Sequence, residues 1–207
     1  MAAGDDALRV EVRSRADLRA WLAENHATAS SVWLVTYKKH HPDYLAYEPL
    51  VEEILCWGWI DSVRRRVDED RARLLISPRK ESSAWSAINK AHVDRAIASG
   101  AMTQAGLAKI EAAKANGMWS FLDDVERLEV PADLARAFAN HPRAAAEWEA
   151  FPRSVKRGIL EWIKQAKTPQ TRANRIKKTA EQASRGERAN QFVRQDTNRS
   201  TSPRKKQ

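Results

Sequence analysis

The sequence predicts an α+β fold: a small antiparallel or mixed sheet with packed helices in the N-terminal half, then an all-helical C-terminal module and a disordered basic tail. Strand-like patterns are confined to the stretch before Pro78, and helical periodicity continues from there to about Ser184. Apolar residues become rare after that point, which is typical of a disordered segment. The predicted organisation is an α+β domain over residues 1–100, a helical module over 101–185 and a tail over 186–207.

The chain begins with alternating strands and helices. Leu8–Val12 alternates apolar and charged residues and predicts a short strand. Ser14 is a suitable N-cap for the helix that follows. Val32–Tyr37 is a nearly continuous run of β-branched and aromatic residues, which predicts a buried strand. The next helix has Pro49 in its first turn and ends at Gly58.

A β-hairpin is predicted next. Ile60–Val67 and Arg71–Ser77 form its strands around the turn Asp68–Asp70, although no glycine supports that turn. Alternation along the first strand separates two faces. One face carries Asp61, Val63, Arg65 and Val67, and the other carries Ile60, Ser62, Arg64 and Arg66.

Helices account for the rest of the folded chain. The first of them is capped by Ser82 or Ser83, carries Trp85, Ile88 and His92 on one face, and ends at Gly100. The later helices are predicted at Gln104–Asn116, at Ala132–Asn140, after Pro142, after a cap at Ser154, and from Thr168 to about Ser184.

Composition excludes several classes of protein. Cys56 is the single cysteine, so an intramolecular disulfide and a cysteine-based zinc site are excluded. The five histidines lack metal-ligand spacing and no glycine-rich phosphate loop occurs, so neither a metal nor a cofactor is predicted. The first ten residues contain no apolar signal-peptide core, and no window has the length of a transmembrane helix, so the cytoplasm is the predicted compartment.

The positive charge is concentrated in the C-terminal quarter. Residues 153–207 hold 16 Lys/Arg and 4 Asp/Glu, whereas residues 1–152 have a net charge of −3 within a chain of net charge +9. Such a segment attracts polyanions. Because few aromatic residues are interleaved with the charge, the most that it predicts is weak electrostatic binding of nucleic acid. A solubilising tail is the alternative.

The stretch Cys56–Lys90 contains the candidate site. It combines three tryptophans, Asp61 and a run of arginines, a mixture that core packing does not require. Guanidinium groups bind carboxylate and phosphate groups well, so a small anionic ligand is predicted. Asp61 is the candidate acid or base, and a structural bridge from Asp61 to an arginine is the alternative. The predicted ligand-binding residues are Trp59, Asp61, Arg64, Arg66, Arg79, Trp85, Asn89 and Lys90.

Three motifs stand out in this stretch: Cys56–Asp61 (CWGWID), Ser77–Lys80 (SPRK) and Trp85–Lys90 (WSAINK). Together with Ile163–Arg172 in the helical module, they resemble the bacterial YdeI/OmpD-associated family, which is also labelled bacteriocin protection. The resemblance extends over nearly all of residues 8–187. It implies a role in tolerance of stress, antimicrobial peptides or bacteriocins, and it implies no particular reaction or cofactor.

Three functions therefore follow from the sequence. The favoured one is a stress-tolerance protein that binds a small anionic or aromatic ligand between the hairpin and the helix near Trp85. The second is an enzyme acting on a small anionic substrate, with Asp61 as acid or base and Arg64 or Arg79 holding the substrate. The third is a nucleic-acid-associated protein that uses residues 153–207.

Overall fold

The computed structural model describes residues 7–190, which divide into two compact units between Asp123 and Asp124. The first unit contains the sheet and several helices, whereas the second contains helices. The predicted α+β class, with helices alone in the C-terminal part, is thus confirmed.

The first unit alternates strands and helices before it ends in two helices. Its elements are β1 (Arg9–Glu11), α1 (Arg15–Asn25), β2 (Val32–Tyr37), α2 (Tyr47–Cys56), β3 (Trp59–Arg66), β4 (Arg71–Pro78), α3 (Ala87–Ala98) and α4 (Gln104–Ala115).

Local chemistry sets several of these boundaries. The Ser14 hydroxyl accepts a hydrogen bond from the backbone N–H of Asp17 and caps α1, as predicted. Gly58 ends α2 with a φ of 72°, which favours glycine. The prediction for α3 was wrong in detail, because Ser86 is the cap and Trp85 precedes the helix. Ile88 is 70% exposed and does not share a buried face with His92.

The hairpin turn is stabilised by an aspartate. Oδ1 of Asp68 accepts hydrogen bonds from the backbone N–H groups of Asp70, at 3.0 Å, and Arg71, at 2.7 Å. Side-chain acceptors of this kind replace backbone turn hydrogen bonds. The turn therefore forms without the glycine that typical hairpin loops contain.

The described residues include one four-stranded sheet, in the order β1-β2-β4-β3. β1 pairs with β2 in parallel, and the other pairs are antiparallel. Alternate residues of β2 and β4 enter the hydrophobic core with α1 and α2; they are Val32, Leu34, Leu74 and Ile76. The intervening residues, which include the cross-strand pair Trp33 and Leu75, lie on the opposite face of the sheet.

Helix α4 belongs to the first unit, although the sequence placed a boundary between residues 100 and 101. A close backbone contact joins α4 to the end of α2. A Cβ atom added to Gly106 would lie 2.4 Å from the carbonyl oxygen of Cys56. Ile110 and Ala113 of α4 are buried in the same core. The sequence periodicity does not show this contact, and the predicted boundary differs from the division between Asp123 and Asp124 that the contacts give.

The second unit consists of short and medium helices. They are α5 (Asp123–Glu126), α6 (Ala132–Ala139), α7 (Ala144–Ala150), α8 (Arg153–Lys164) and α9 (Pro169–Ala183). Helix α8 begins before Ser154 and has no side-chain cap, contrary to the prediction. Thr168 caps α9 as predicted, because its hydroxyl accepts a hydrogen bond from the N–H of Thr171.

The predicted tail is only partly described. Ala189 lies within the predicted tail but is 1% exposed, so the solvated tail predicted from Gly186 is wrong for this position. Residues 191–207 lie outside the described residues. Between residues 7 and 190, no helix is both long and apolar enough to cross a bilayer.

Candidate functional site

Trp59 belongs to the hydrophobic core of the first unit. Its side chain is 1% exposed, and its indole N–H donates to the carbonyl of His26 at 3.2 Å. The ring meets Trp21 edge to face, with the centroids 5.9 Å apart. Because both its polar atom and its ring have partners inside the core, this tryptophan offers little surface to a ligand.

Asp61 is paired with a phenol. Its Oδ2 accepts a hydrogen bond from the hydroxyl of Tyr47 at 2.6 Å. Burial, assisted by this hydrogen bond, raises the pKa of Tyr47 to about 12. The sequence predicted an ion pair with an arginine as the alternative role of this carboxylate. In the structure, the carboxylate instead accepts a hydrogen bond from Tyr47.

A β-bulge in β3 reverses the predicted faces of the hairpin. Asp61 pairs with Ile76 and Arg64 pairs with Leu74, so Ser62 and Val63 together oppose the single residue Leu75. Such a bulge changes the alternation of all later side chains in the strand.

The reversal corrects the positions of the arginines. Arg64 and Arg66 share a face with Asp61 rather than with Ser62, as the pairing of Arg64 with Leu74 and of Arg66 with Ala72 shows. Both are exposed, and Nε of Arg66 donates to the carbonyl of Asp68 at 3.1 Å. Arg65 instead pairs with Arg73 and lies on the opposite face. Arg64 and Arg66 therefore lie on the face of the hairpin opposite Arg65.

Arg79 and Trp85 form the closest cation–π contact in the first unit's described residues. The Arg79 guanidinium carbon lies 3.7 Å from the Trp85 ring centroid, and both side chains are buried. Nη2 of Arg79 donates to the carbonyl oxygens of Ser83 and Ala84. Nε and Nη1 are buried without a hydrogen-bond partner in the described structure. Burial lowers the pKa of Arg79 to about 10, and the charge of Asp61 acts in the opposite direction.

Asn89 and Lys90 lie in the first turn of α3. The backbone N–H of Asn89 donates to the hydroxyl of Ser86 at 3.3 Å. Lys90 forms an ion pair with Asp123, and its ammonium lies 5.3 Å from the ring centroid of Trp119. Neither residue lines the cavity described next.

A cavity of about 630 Å³ opens between the hairpin, the start of β2 and the residues after β4. Among its described lining residues, three are cationic, four are serines and none is acidic. The lining residues are Ser30, Ser31, Trp33, Ser62, Val63, Arg65, Leu75, Ser77, Pro78, Arg79 and Lys80. Of the eight predicted ligand-binding residues, Arg79 alone is among them.

Trp33 forms the aromatic part of the cavity wall. Its side chain is 1% exposed. The guanidinium carbons of Arg65 and Arg73 lie 5.4 Å and 4.3 Å from its ring centroid. The ring is therefore covered by arginines on the sheet face that does not contribute to the core.

Most residues of this wall could not be identified as cavity residues from the sequence. Trp33 lies in a continuous apolar strand that resembles ordinary core, and Arg65 is on the cavity face only because of the bulge. One signal was present in the sequence: Ser77–Lys80 places a serine and two cations at the end of a strand. The serines at positions 30 and 31 become neighbours of that segment only through the register of β2 with β4.

Many cations of the second unit are paired. Arg172 makes two hydrogen bonds to Asp133, at 2.7 Å and 3.0 Å, which lower the pKa of that carboxyl group. Lys164 pairs with Asp124, and Arg157 pairs with Glu126 and with Glu161 in the next turn of α8. Apart from the Arg157–Glu161 pair within α8, these pairs link different helices, and all of them reduce the cationic surface available to a polyanion. Nucleic-acid binding through residues 153–207 stays a prediction.

Other candidate chemistry is limited in the described residues. Cys56 is buried, and its pKa is raised to about 11 by burial, so its reactive thiolate form is scarce at neutral pH. Residues 7–190 contain no group of three or more His, Cys, Asp or Glu side chains placed to hold a metal ion.

Two family models match the chain. The model described as Bacteriocin-protection, YdeI or OmpD-Associated matches residues 127–186, and a domain of unknown function (DUF8412) matches residues 10–109. The predicted YdeI/OmpD-associated resemblance is thus confirmed for the helical module, while Cys56–Lys90 fall within the other match. Neither a search of curated proteins nor a search of solved structures found a match.

Proposed function

We propose that this protein binds a small anion in the cavity beside β2, β3 and β4. The observation that carries the proposal is the composition of the wall between residues 7 and 190, which contains three cations, four serines and no carboxylate. A cavity of this size accommodates a small organic molecule. Serine hydroxyls and guanidinium groups donate hydrogen bonds to anionic oxygens, and no acidic side chain among the described lining residues competes with an anion for these donors.

Arg79 supports the proposal energetically. Its charge is desolvated, and its lowered pKa corresponds to a cost of roughly 3 kcal/mol for holding the charged form there. The contact with Trp85 offsets part of that cost, because a desolvated cation–π pair contributes about 2 kcal/mol. An anion in the cavity would contribute the remaining compensation, since a buried charge is stabilised by an opposite charge nearby.

Arg65 and Lys80 have a different role in this proposal. Both line the cavity and both are exposed. Exposed cations attract anions over about 10 Å at moderate ionic strength, and each contributes up to about 1 kcal/mol to the affinity. Together they attract the ligand, select against cations and supply part of the binding free energy.

Thermal unfolding of the full chain tests the proposal. At matched ionic strength, inorganic phosphate is expected to raise the melting temperature more than chloride does, because a ligand that binds the folded state stabilises it. The double variant Arg65→Gln/Lys80→Gln is expected to lose most of that increase. The control Lys39→Gln/Lys178→Gln removes two exposed charges outside the cavity and is expected to retain it.

Two results would overturn the proposal. One is a wild-type melting temperature that does not distinguish phosphate from chloride. The other is an equal loss of the phosphate effect in the cavity variant and in the control, which would indicate general screening rather than a site.

The biological role is a second part of the proposal. The family description that matches residues 127–186 includes bacteriocin protection. We infer that anion binding in the first unit serves a tolerance function of that kind, with the helical module as the family-specific part. Survival of a deletion strain under bacteriocin exposure tests this role. Rescue of survival by the wild-type gene but not by the Arg65→Gln/Lys80→Gln variant would support it. Equal rescue by both would show that tolerance does not depend on anion binding.

A further inference from the structure

The cavity wall has a polar end and an aromatic end. Val32 pairs with Ile76 in antiparallel register, so the segment before β2 lies beside the end of β4. This register brings Ser30, Ser31 and Ser77 together with Arg79 and Lys80. Trp33 and Leu75 pair directly with each other. They lie on the same face of the sheet as Ser31 and Ser77, two residues further along each strand.

The bulge supplies the apolar side of the aromatic end. Ser62 and Val63 are consecutive, yet both line the cavity, because the bulge interrupts the alternation that would send one of them to the other face. Val63 is 46% exposed and lies beside Leu75 in the wall. The guanidinium carbon of Arg65 lies 5.4 Å from the ring centroid of Trp33, and Arg65 lines the cavity at this end.

We propose that the ligand is a nucleotide, with its phosphate at the polar end and its planar base at the aromatic end. This inference rests on the proposed anion-binding function and specifies its ligand class. Two residues along a strand span about 6.6 Å, so the two ends are separate but close enough for one nucleotide. Planar bases stack on guanidinium groups and pack against aromatic and aliphatic side chains.

A phosphate group fits the polar end better than a carboxylate does. Three serines and two cations line that end, and their number of donors and charges matches the several oxygens and the double charge of a phosphate monoester. A carboxylate has two oxygens and one charge, and would leave part of this donor set unused.

Calorimetric titration of the full chain with four probes tests the inference. Adenosine monophosphate is expected to bind about tenfold or more tighter than inorganic phosphate, because base stacking adds to the phosphate contact. Benzoate, which carries a ring and a carboxylate, and adenosine, which lacks the phosphate, are expected to bind more weakly than the nucleotide.

A pair of valine variants locates the base. Val63→Trp fills the aromatic end and is expected to reduce nucleotide affinity to that of inorganic phosphate, while phosphate affinity changes by less than about twofold. Val67→Trp is the control, since Val67 is also partly exposed but does not line the cavity.

The outcomes separate the two proposals. Phosphate binding without an advantage for the nucleotide, or an advantage that survives Val63→Trp, would overturn the nucleotide assignment and leave the anion site intact. Tighter binding of benzoate than of the nucleotide would also overturn the assignment in favour of an aromatic carboxylate. Absence of binding by all four probes would overturn the anion site itself.

Discussion

The guanidinium carbon of Arg79 lies 3.7 Å from the centroid of the Trp85 ring, and two of its nitrogen atoms are buried without hydrogen-bond partners in the described structure. The residue therefore contributes a desolvated positive charge to the wall of the cavity beside β2, β3 and β4. Burying a charge without hydrogen-bond partners costs free energy. An apolar side chain of similar length could cover Trp85 without that desolvation cost. This arrangement supports the proposal that the charge of Arg79 binds an anionic ligand.

Replacing Arg79 separates its charge from its packing. Arg79→Met is expected to change the free energy of unfolding by less than about 1 kcal/mol, because release of the burial cost offsets the loss of donors to the Ser83 and Ala84 carbonyls. Arg79→Ala also uncovers Trp85 and is expected to destabilise the protein by about 2–4 kcal/mol. Urea unfolding measures both values.

The same Met variant is expected to bind inorganic phosphate about tenfold more weakly than wild type, since the buried charge is lost. Unchanged phosphate affinity in a folded Arg79→Met protein would mean that Arg79 is structural only. Lys80→Ala, an exposed neighbour, is the stability control and is expected to stay within about 0.5 kcal/mol.

The bulge in β3 makes opposite predictions for two adjacent arginines. Arg65 lines the cavity and Arg64 lies on the other face. Arg65→Gln is expected to weaken phosphate binding by about fivefold, the value of one partly exposed charge contact, and Arg64→Gln to change it by less than about twofold. A larger effect at Arg64, measured by the same titration, would mean that the bulge is misplaced.

The hydrogen bond between Tyr47 and Asp61 predicts a pH dependence. Burial and this bond raise the pKa of Tyr47 to about 12, above the ordinary value of about 10. The protonated phenol is thus favoured in the folded state, so its stabilisation is complete below pH 10 and is lost as the pH rises toward 12.

The stability difference between wild type and Tyr47→Phe isolates this effect, because the titration of Arg79 and of the lysines is common to both proteins. The difference is expected to fall by about 1 kcal/mol over that range, less than full linkage would give, because the ring is 46% exposed. Chemical unfolding at a series of alkaline pH values provides the measurement. A constant difference would show that the phenol is not perturbed.

Two glycines in helices differ in their surroundings. A Cβ at Gly106 would lie 2.4 Å from the carbonyl oxygen of Cys56, whereas a Cβ at Gly158 would meet nothing within 4 Å. Gly106→Ala is expected to destabilise the first unit by more than about 2 kcal/mol, because backbone must move to accommodate the methyl group. Gly158→Ala is expected to stabilise α8 by up to about 1 kcal/mol through helix propensity.

Thermal unfolding of both variants tests this contrast. Equal melting temperatures for Gly106→Ala and wild type would contradict the close packing of α4 on the end of α2, and with it the assignment of α4 to the first unit.

The elements of the first unit could be predicted because their signals are local. The buried strand Val32–Tyr37 and the cap at Ser14 depend on neighbouring residues only, and both were found in the structure as predicted. The hairpin could be predicted from the patterns of its two strands. Its turn could not be recognised from a glycine, because Asp68 provides the hydrogen bonds that stabilise it.

The candidate site could be predicted only in part because it depends on register. The single bulge at Ser62 and Val63 moves Arg65 to the cavity and Arg64 away from it, and nothing in the local sequence marks that position. Trp33 resembles a core residue because it is buried, yet Arg65 and Arg73 cover it from the other strands. Arg79 was identified because it follows a strand within a segment rich in polar residues.

Backbone amide chemical shifts, recorded during titration of the isotope-labelled full chain with inorganic phosphate, test the central claim most directly. The account predicts that the largest changes fall on Ser30, Ser31, Ser77 and Lys80, with saturation at increasing phosphate. Changes confined to cations of the second unit such as Arg172 and Lys177, or small unsaturable changes spread over exposed lysines, would contradict it.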